Sequence, residues 1–224
     1  MHNYQSFLVA VLAACSLTAC ETTWKTPENR DLHGPEDVEH YIDMLESERR
    51  VESLQVGLAI RQLGLPRDAW VGDLGCGPGT FSLPLATACP DGLVFASDIE
   101  PAQLDRLRER LAQAELANVI PVLASYQDPH FPPARLDLVL IVDTFHHIDD
   151  REVYLRKLKH SLKPDGRLAV LEYKPGDLPI GPPADHKLAA GQLELEMSAA
   201  GWTELERFES HPYHDFVVYR PAVE

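Results

Sequence analysis

The chain has 224 residues, 45% of them hydrophobic and 25% charged, with 20 Lys and Arg against 35 Asp and Glu and a formal net charge of −15. Such a chain can bury one α/β core plus a short extension, and its acidic balance argues against a nucleic-acid partner, whose affinity rests on cation–phosphate contacts. The four cysteines, Cys15, Cys20, Cys76 and Cys89, form no C-x-x-C pair, so no metal site is expected.

Residues 7–14 read FLVAVLAA and lead to Leu17-Thr18-Ala19-Cys20. The run is too short for a bilayer span, which needs about 20 residues, and fits the apolar region of a secretory signal. The preceding MHNYQS carries no Lys or Arg, where a positive charge is usual. Leu17 to Cys20 resembles a bacterial lipobox. The resemblance implies a signal peptide over 1–20, lipidation at Cys20, and a lipoprotein on the periplasmic face of a membrane. The alternative is an apolar leader on a cytoplasmic protein. Residues 21–34 are polar and without period, and read as a flexible tether.

From Pro35 the pattern is helical up to Gly64 and Pro66, with Val38, Ile42, Leu45, Val51, Leu54 and Leu58 at helix-like spacing. This stretch, 35–66, is expected to form a helical lid on a domain over 67–224. A strand follows at 70–74, then a glycine-rich loop and a helix over 83–88. Strand two is 93–97, and a helix opened by Pro101 runs to about 116. Strands three and four are 119–123 and 136–142. A helix covers 151–162, Lys163-Pro164-Asp165-Gly166 reads as a turn, and strand five is 168–172. A Pro- and Gly-rich loop over 174–184 precedes a helix over 189–200. Two last strands, near 204–208 and 216–219, lack a helix between them and must pair as a hairpin, one of them antiparallel. The expected fold is α/β: a Rossmann-like, seven-stranded, mostly parallel sheet with helices on both faces and a C-terminal antiparallel hairpin.

Val71-Gly72-Asp73-Leu74-Gly75-Cys76-Gly77-Pro78-Gly79 leaves a strand and enters a helix. Glycines serve there because the backbone must turn tightly and approach a ligand without a Cβ between them. A dinucleotide fingerprint needs a glycine at 80, where Thr80 stands, and no Gly-Lys-Ser/Thr follows for a phosphate loop. A nicotinamide-dependent oxidoreductase is therefore disfavoured. Asp98 closes strand two, at the position where a carboxylate takes both ribose hydroxyls in nucleotide-binding α/β folds. Capping the next helix is its alternative role, and Glu100 is its rival.

Asp73-x-Gly75-x-Gly77-x-Gly79 resembles motif I of class I S-adenosylmethionine (SAM)-dependent methyltransferases. Further agreement comes from Ser97-Asp98-Ile99-Glu100-Pro101, Phe145-His146-His147-Ile148, Leu162-Lys163-Pro164-Asp165-Gly166 and Ala200-Gly201-Trp202. The likeness runs from Tyr41 to Tyr219 and is nearest to small-molecule methyltransferases of the ubiquinone/menaquinone type, within them to an uncharacterised bacterial group with Glu172-Tyr173-Lys174 and Pro182-Pro183-x-x-His186-Lys187. It implies SAM as cofactor, held by Asp73, Gly75, Gly77, Gly79, Asp98 and Asp143. Many relatives place an Asp where Ser125 stands, so the adenine contact falls to Ser125 or Asp128. Ser125 to Pro129 as a plain turn is the alternative.

Ligands in such sheets lie beyond the carboxyl ends of the strands where strand order reverses. That brings together Asp143 to His147, Glu172 to Lys174, the loop to His186, and Tyr41, Glu46, Arg49 and Arg50 of the lid. His146 and His147 are candidate catalytic bases, since imidazole titrates near neutrality. Structural roles for both are the alternative. The expected partner is a small-molecule acceptor, with a membrane met only through Cys20. A non-catalytic, lipid-anchored SAM-binding module is the competing function.

Overall fold

Residues 37–223 are described by a computed structural model. The signal, lipobox and tether expectations, and Cys15 and Cys20 with them, fall outside those residues. The helical stretch divides into α1 (Val38–Glu46), α2 (Glu48–Leu54) and α3 (Val56–Leu63). The sequence pattern reads as helical over this stretch without locating its breaks; the chain turns at Ser47, which has extended backbone, and at Gln55, which is left-handed at φ 49°. Gly64, also left-handed, ends α3.

The sheet contains β1 (Trp70–Leu74), β2 (Leu93–Asp98), β3 (Val119–Leu123), β4 (Leu136–Val142), β5 (Leu162–Tyr173), β6 (Trp202–Phe208) and β7 (His214–Pro221), in the order β3-β2-β1-β4-β5-β7-β6. β1 to β5 are mutually parallel, while β7 runs antiparallel to both β5 and β6. The expected fold is the observed one. β5 begins earlier than expected: Leu162 already pairs with Leu136, and the register shift between Leu136 and Leu138 absorbs the Lys163–Gly166 segment, read in the sequence as a turn.

Strand residues alternate between two cores, as a pleat covered on both faces requires. Leu138, Leu140, Ala169 and Leu171 pack with Leu54, Ala59 and Leu63 of α2 and α3, with Leu85 of α4 (Ser82–Ala88) and with Leu104 and Leu107 of α5 (Pro101–Gln113). Val139, Ile141, Leu168 and Val170 pack on the other face with Leu155 of α6 (Arg151–Leu158), Met197 of α7 (Gln192–Ala199) and Trp202. The reversal of strand order falls between β1 and β4, so their carboxyl ends, with the loops that leave them, form the crevice where such sheets take ligands.

Candidate active site

The loop after β1 is shaped by three left-handed glycines, Gly75, Gly77 and Gly79. A Cβ on Gly75 would stand 2.3 Å from Thr144 Oγ1, and one on Gly79 2.4 Å from Leu107. These two glycines let the loop press against its own protein. Gly77 differs: its open side meets nothing closer than Leu45 Cδ1 at 3.5 Å and Gln103 Oε1 at 3.8 Å.

Asp73 is buried and accepts a 2.6 Å hydrogen bond from Ser82 Oγ at the start of α4. Desolvation pushes its carboxyl up to about 7, opposed by that hydrogen bond and reinforced by the charge of Asp98. Asp98 braces the loop from the other side. Its Oδ2 accepts from Gly77 N–H at 2.8 Å and its Oδ1 from Glu100 N–H at 2.9 Å. Burial raises its pKa, and those two hydrogen bonds pull it back. Capping of α5 falls to Glu100, whose side chain accepts from Ala102 N–H at 3.2 Å, which leaves Asp98 on the loop side.

Ser125 and Asp128 form a small two-bridge turn, each backbone N–H donating to the other's carbonyl at 3.0 and 3.2 Å. The Asp128 carboxylate accepts from His130 N–H at 2.7 Å. The turn hangs from Asp98 through Ala124 N–H, 2.8 Å from Asp98 O. Tyr126, inside the turn, lies close enough to Glu100 and Asp98 for their charges to add to the desolvation that raises its hydroxyl pKa.

Beyond β4, Asp143 has a left-handed backbone at φ 47°. Its Oδ2 pairs with Arg50 Nη2 of α2 at 2.9 Å, with both side chains largely buried. Its Oδ1 lies 3.2 Å from Nε2 of the fully buried His214, without hydrogen-bond geometry. Tyr41 of α1 sits near Arg50, Asp98 and Asp143; its hydroxyl pKa is raised by burial first, lowered by Arg50 and raised again by the two carboxylates. Arg49 Nη2 donates to Pro179 O at 2.6 Å, joining α2 to the Pro- and Gly-rich loop. That loop crosses Tyr173 so closely at Gly181 that a Cβ there would stand 2.5 Å from the ring. Glu46 holds α1 onto α5 through Arg106 at 2.8 Å and Arg110 at 3.2 Å. The four residues expected on the lid thus all come to the crevice or to the elements that frame it.

His146 and His147 occupy a short 3-10 turn after Thr144, their rings 4.0 Å apart. His146 is nearly buried. Its Nδ1 lies 2.9 Å from Glu172 Oε1 at the end of β5, and its backbone N–H donates to Glu172 Oε2 at 3.3 Å. Glu172 is almost inaccessible to solvent and also accepts from Tyr173 N–H at 3.0 Å. In the tautomer that donates Nδ1–H to the carboxylate, Nε2 carries the lone pair. His147 is exposed beside it. Among the described residues no group of three or more His, Cys, Asp or Glu is placed to hold a metal ion, and Cys76 and Cys89 are free thiols.

Two members of the site have no role in the sequence reading. Glu172 is there a strand-end residue in a motif, without its partnership to His146. Gln103 passes unnoticed, although its signal is present: it is a polar residue on the buried stripe of α5, beside Leu104, Leu107 and Leu111.

Residues 71–166 match the family model of a methyltransferase domain. The chain is 29% identical over 140 residues to a 27-O-demethylrifamycin SV methyltransferase of Amycolatopsis mediterranei, covering 62% of this chain and 50% of that protein. It is 35% identical over 108 residues to a ubiquinone/menaquinone biosynthesis C-methyltransferase of Ectopseudomonas mendocina, covering 47% and 42%. The chain spans half or less of the length of these curated relatives. Among solved structures, a SAM-dependent methyltransferase from Aquifex aeolicus shares the fold with a TM-score of 0.76 at 23% identity, over 80% of this chain and 96% of that one. Glycine loop, sheet order and family match point the same way: residues 71–166 match a methyltransferase domain, and the chain shares the fold of a solved SAM-dependent methyltransferase.

Proposed function

We propose that the protein transfers the methyl group of SAM to a small-molecule acceptor, with His146 as general base. The reading is supported by two devices at the carboxyl ends of the strands: a glycine loop after β1 braced by Asp98, and an imidazole after β4 held by the buried Glu172. The residues present suit the cofactor. Gly77 has an open side, Asp98 offers a desolvated carboxylate to hydroxyl donors, and Arg50 with Asp143 presents one charge of each sign to an amino-acid zwitterion. Asp73 acts from behind, tying the loop to α4 through Ser82.

When bound, SAM supplies a methyl group on a sulfonium centre, open to in-line displacement. The protein's share is then positioning and proton handling. Nε2 of His146 accepts the acceptor's proton, and Glu172 holds the ring and balances the imidazolium that results. Tyr41, Tyr173 and the loop at Gly181 exclude water. Arg49 is engaged by Pro179 O and Arg50 belongs to the cofactor end with Asp143, which favours a small, partly apolar acceptor over an anionic polymer. The printed activities of the two relatives, on a rifamycin precursor and in quinone biosynthesis, point the same way. The lipobox-like Leu17–Cys20 supports anchorage at the periplasmic face of a membrane.

The test is to incubate the purified protein with SAM and a panel of phenols, quinols and small carboxylic acids, and to detect S-adenosylhomocysteine. Acceptor-dependent product is the expected result. Tight SAM binding without product from any acceptor would favour a non-catalytic binding module, and absence of SAM binding would defeat both.

A further inference from the structure

We propose that Gln103 is a cofactor-binding residue whose side-chain carbonyl accepts a hydrogen bond from a ribose hydroxyl of SAM, as a second acceptor beside Asp98. The inference rests on the SAM reading of the glycine loop and goes beyond it to a position that neither the loop motif nor the strand-end carboxylate indicates.

The argument starts from an energetic oddity. α5 buries one stripe, Gln103, Leu104, Leu107 and Leu111. Three of these are leucine, as an amphipathic helix packed on a sheet requires. The fourth is a primary amide only 3% exposed, and its Oε1 has no hydrogen-bond donor among the described residues. A buried acceptor left unpaired is a cost that an apolar side chain of the same length would avoid. Such a group is best explained by a donor that arrives with a ligand.

The position names the ligand. Oε1 lies 3.8 Å from where a Cβ on Gly77 would stand, and Leu45 of α1 approaches the same point. Gly77 is the loop glycine with an open side, and its N–H is held by Asp98 Oδ2. Gln103 and Asp98 therefore flank one glycine. A carbonyl oxygen can only accept, so its partner must be a donor. The two donors delivered to this end of β2 are ribose hydroxyls. Each Asp98 oxygen already accepts one backbone N–H, so a second acceptor shares the task of orienting two hydroxyls.

The test compares wild type with Gln103→Met, which keeps an unbranched chain of similar length and removes the acceptor. The probes are S-adenosylhomocysteine and its 2′-deoxy and 3′-deoxy analogues, titrated calorimetrically, with apo melting temperatures measured alongside. We expect Gln103→Met to weaken S-adenosylhomocysteine binding about fivefold, the worth of one neutral hydrogen bond. One of the two deoxy analogues should bind both proteins equally, and the apo melting temperature should hold or rise. Unchanged S-adenosylhomocysteine affinity would overturn the proposal, as would an equal loss for all three ligands, which would make Gln103 a packing residue. Wild-type protein that binds none of the three would overturn the SAM reading itself, a pattern distinct from either.

Discussion

Nδ1 of His146 lies 2.9 Å from Glu172 Oε1, and the same carboxylate receives the backbone N–H groups of His146 and Tyr173. One buried group thus holds the ring's tautomer and its orientation together. His146→Ala should lower turnover about 10²- to 10⁴-fold with little change in SAM affinity. Glu172→Gln should also cost about 10²-fold or more, because an amide can donate to Nδ1 and so favour the wrong tautomer. His147→Ala should leave turnover near wild type. Single-turnover rates and melting temperatures measured on all three decide the matter: a fall in melting temperature with the rate per folded molecule intact would make His146 structural.

Asp98 braces the loop, and in the proposed function it takes the cofactor's hydroxyls as well. Asp98→Ala should weaken SAM binding by roughly 2 to 4 kcal/mol if two charge-assisted hydrogen bonds are lost. It should also lower apo stability, since Gly77 and Glu100 lose the acceptor of their N–H groups. Calorimetry showing wild-type SAM affinity in this variant would remove Asp98 from the cofactor site.

The buried Asp73 makes stability depend on pH in an unusual direction. Its folded pKa is raised to about 7, above the value near 4 of an unfolded aspartate. Between those values the folded state binds the extra proton, so the contribution of Asp73 to stability is fully present below about pH 4 and declines as pH rises towards 7. Asp73→Asn, which still accepts from Ser82, should therefore gain stability over wild type as pH is raised from 4.5 to 8, by at most about 4 kcal/mol. Urea melts at both ends of that range test it, and a constant difference between the two proteins would refute it.

The glycines should separate by function. Gly75→Ala meets Thr144 at 2.3 Å with φ +70° and should destabilise the apo protein by about 2 kcal/mol or more. Gly77→Ala has 3.5 Å of room and should cost only about 1 kcal/mol of left-handed strain, yet abolish most SAM affinity by filling the open side. Thermal melts and SAM titrations on both variants check the contrast. Equal effects on both quantities would count against an open cofactor face at Gly77.

At the N terminus the prediction is independent of the fold. If Leu17–Cys20 is a working lipobox, a fatty-acid probe fed to cells should label the wild type and not Cys20→Ser, and the protein should fractionate with membranes. Equal label in the two, or none in either, would return the protein to the cytoplasm.

Strand positions and the glycine loop were legible in the chain because they are local. A short apolar run between turn signals announces a buried strand, and three glycines at a strand–helix junction announce a close backbone approach. β1, β3 and β4 lie where that pattern places them, and the hairpin follows from two strands without a helix between them. The breaks at Ser47 and Gln55 were not located, because neither carries Gly or Pro and apolar residues recur at helix-like spacing within each flanking segment. The early start of β5 also escaped, because its first pairing needs a register shift against β4 that only the neighbouring strand imposes.

The site divides along the same line. Asp73, the glycines, Asp98 and the two histidines could be named because each stands at an element end whose place in this sheet is known from strand order alone. Their partners lie far away in sequence: Glu172 for His146, Arg50 for Asp143, Gln103 beside Gly77. Such pairings depend on helix packing and side-chain direction, which no periodicity records. The sequence by itself determined the sheet and the glycine loop, since these follow from backbone preference and burial, and the class of ligand was implied by the loop's family resemblance. Tertiary structure alone decided which carboxylate holds His146, which pairs with Arg50 of α2 and which braces the loop, because burial and partner distance, not residue type, set what a charged group does.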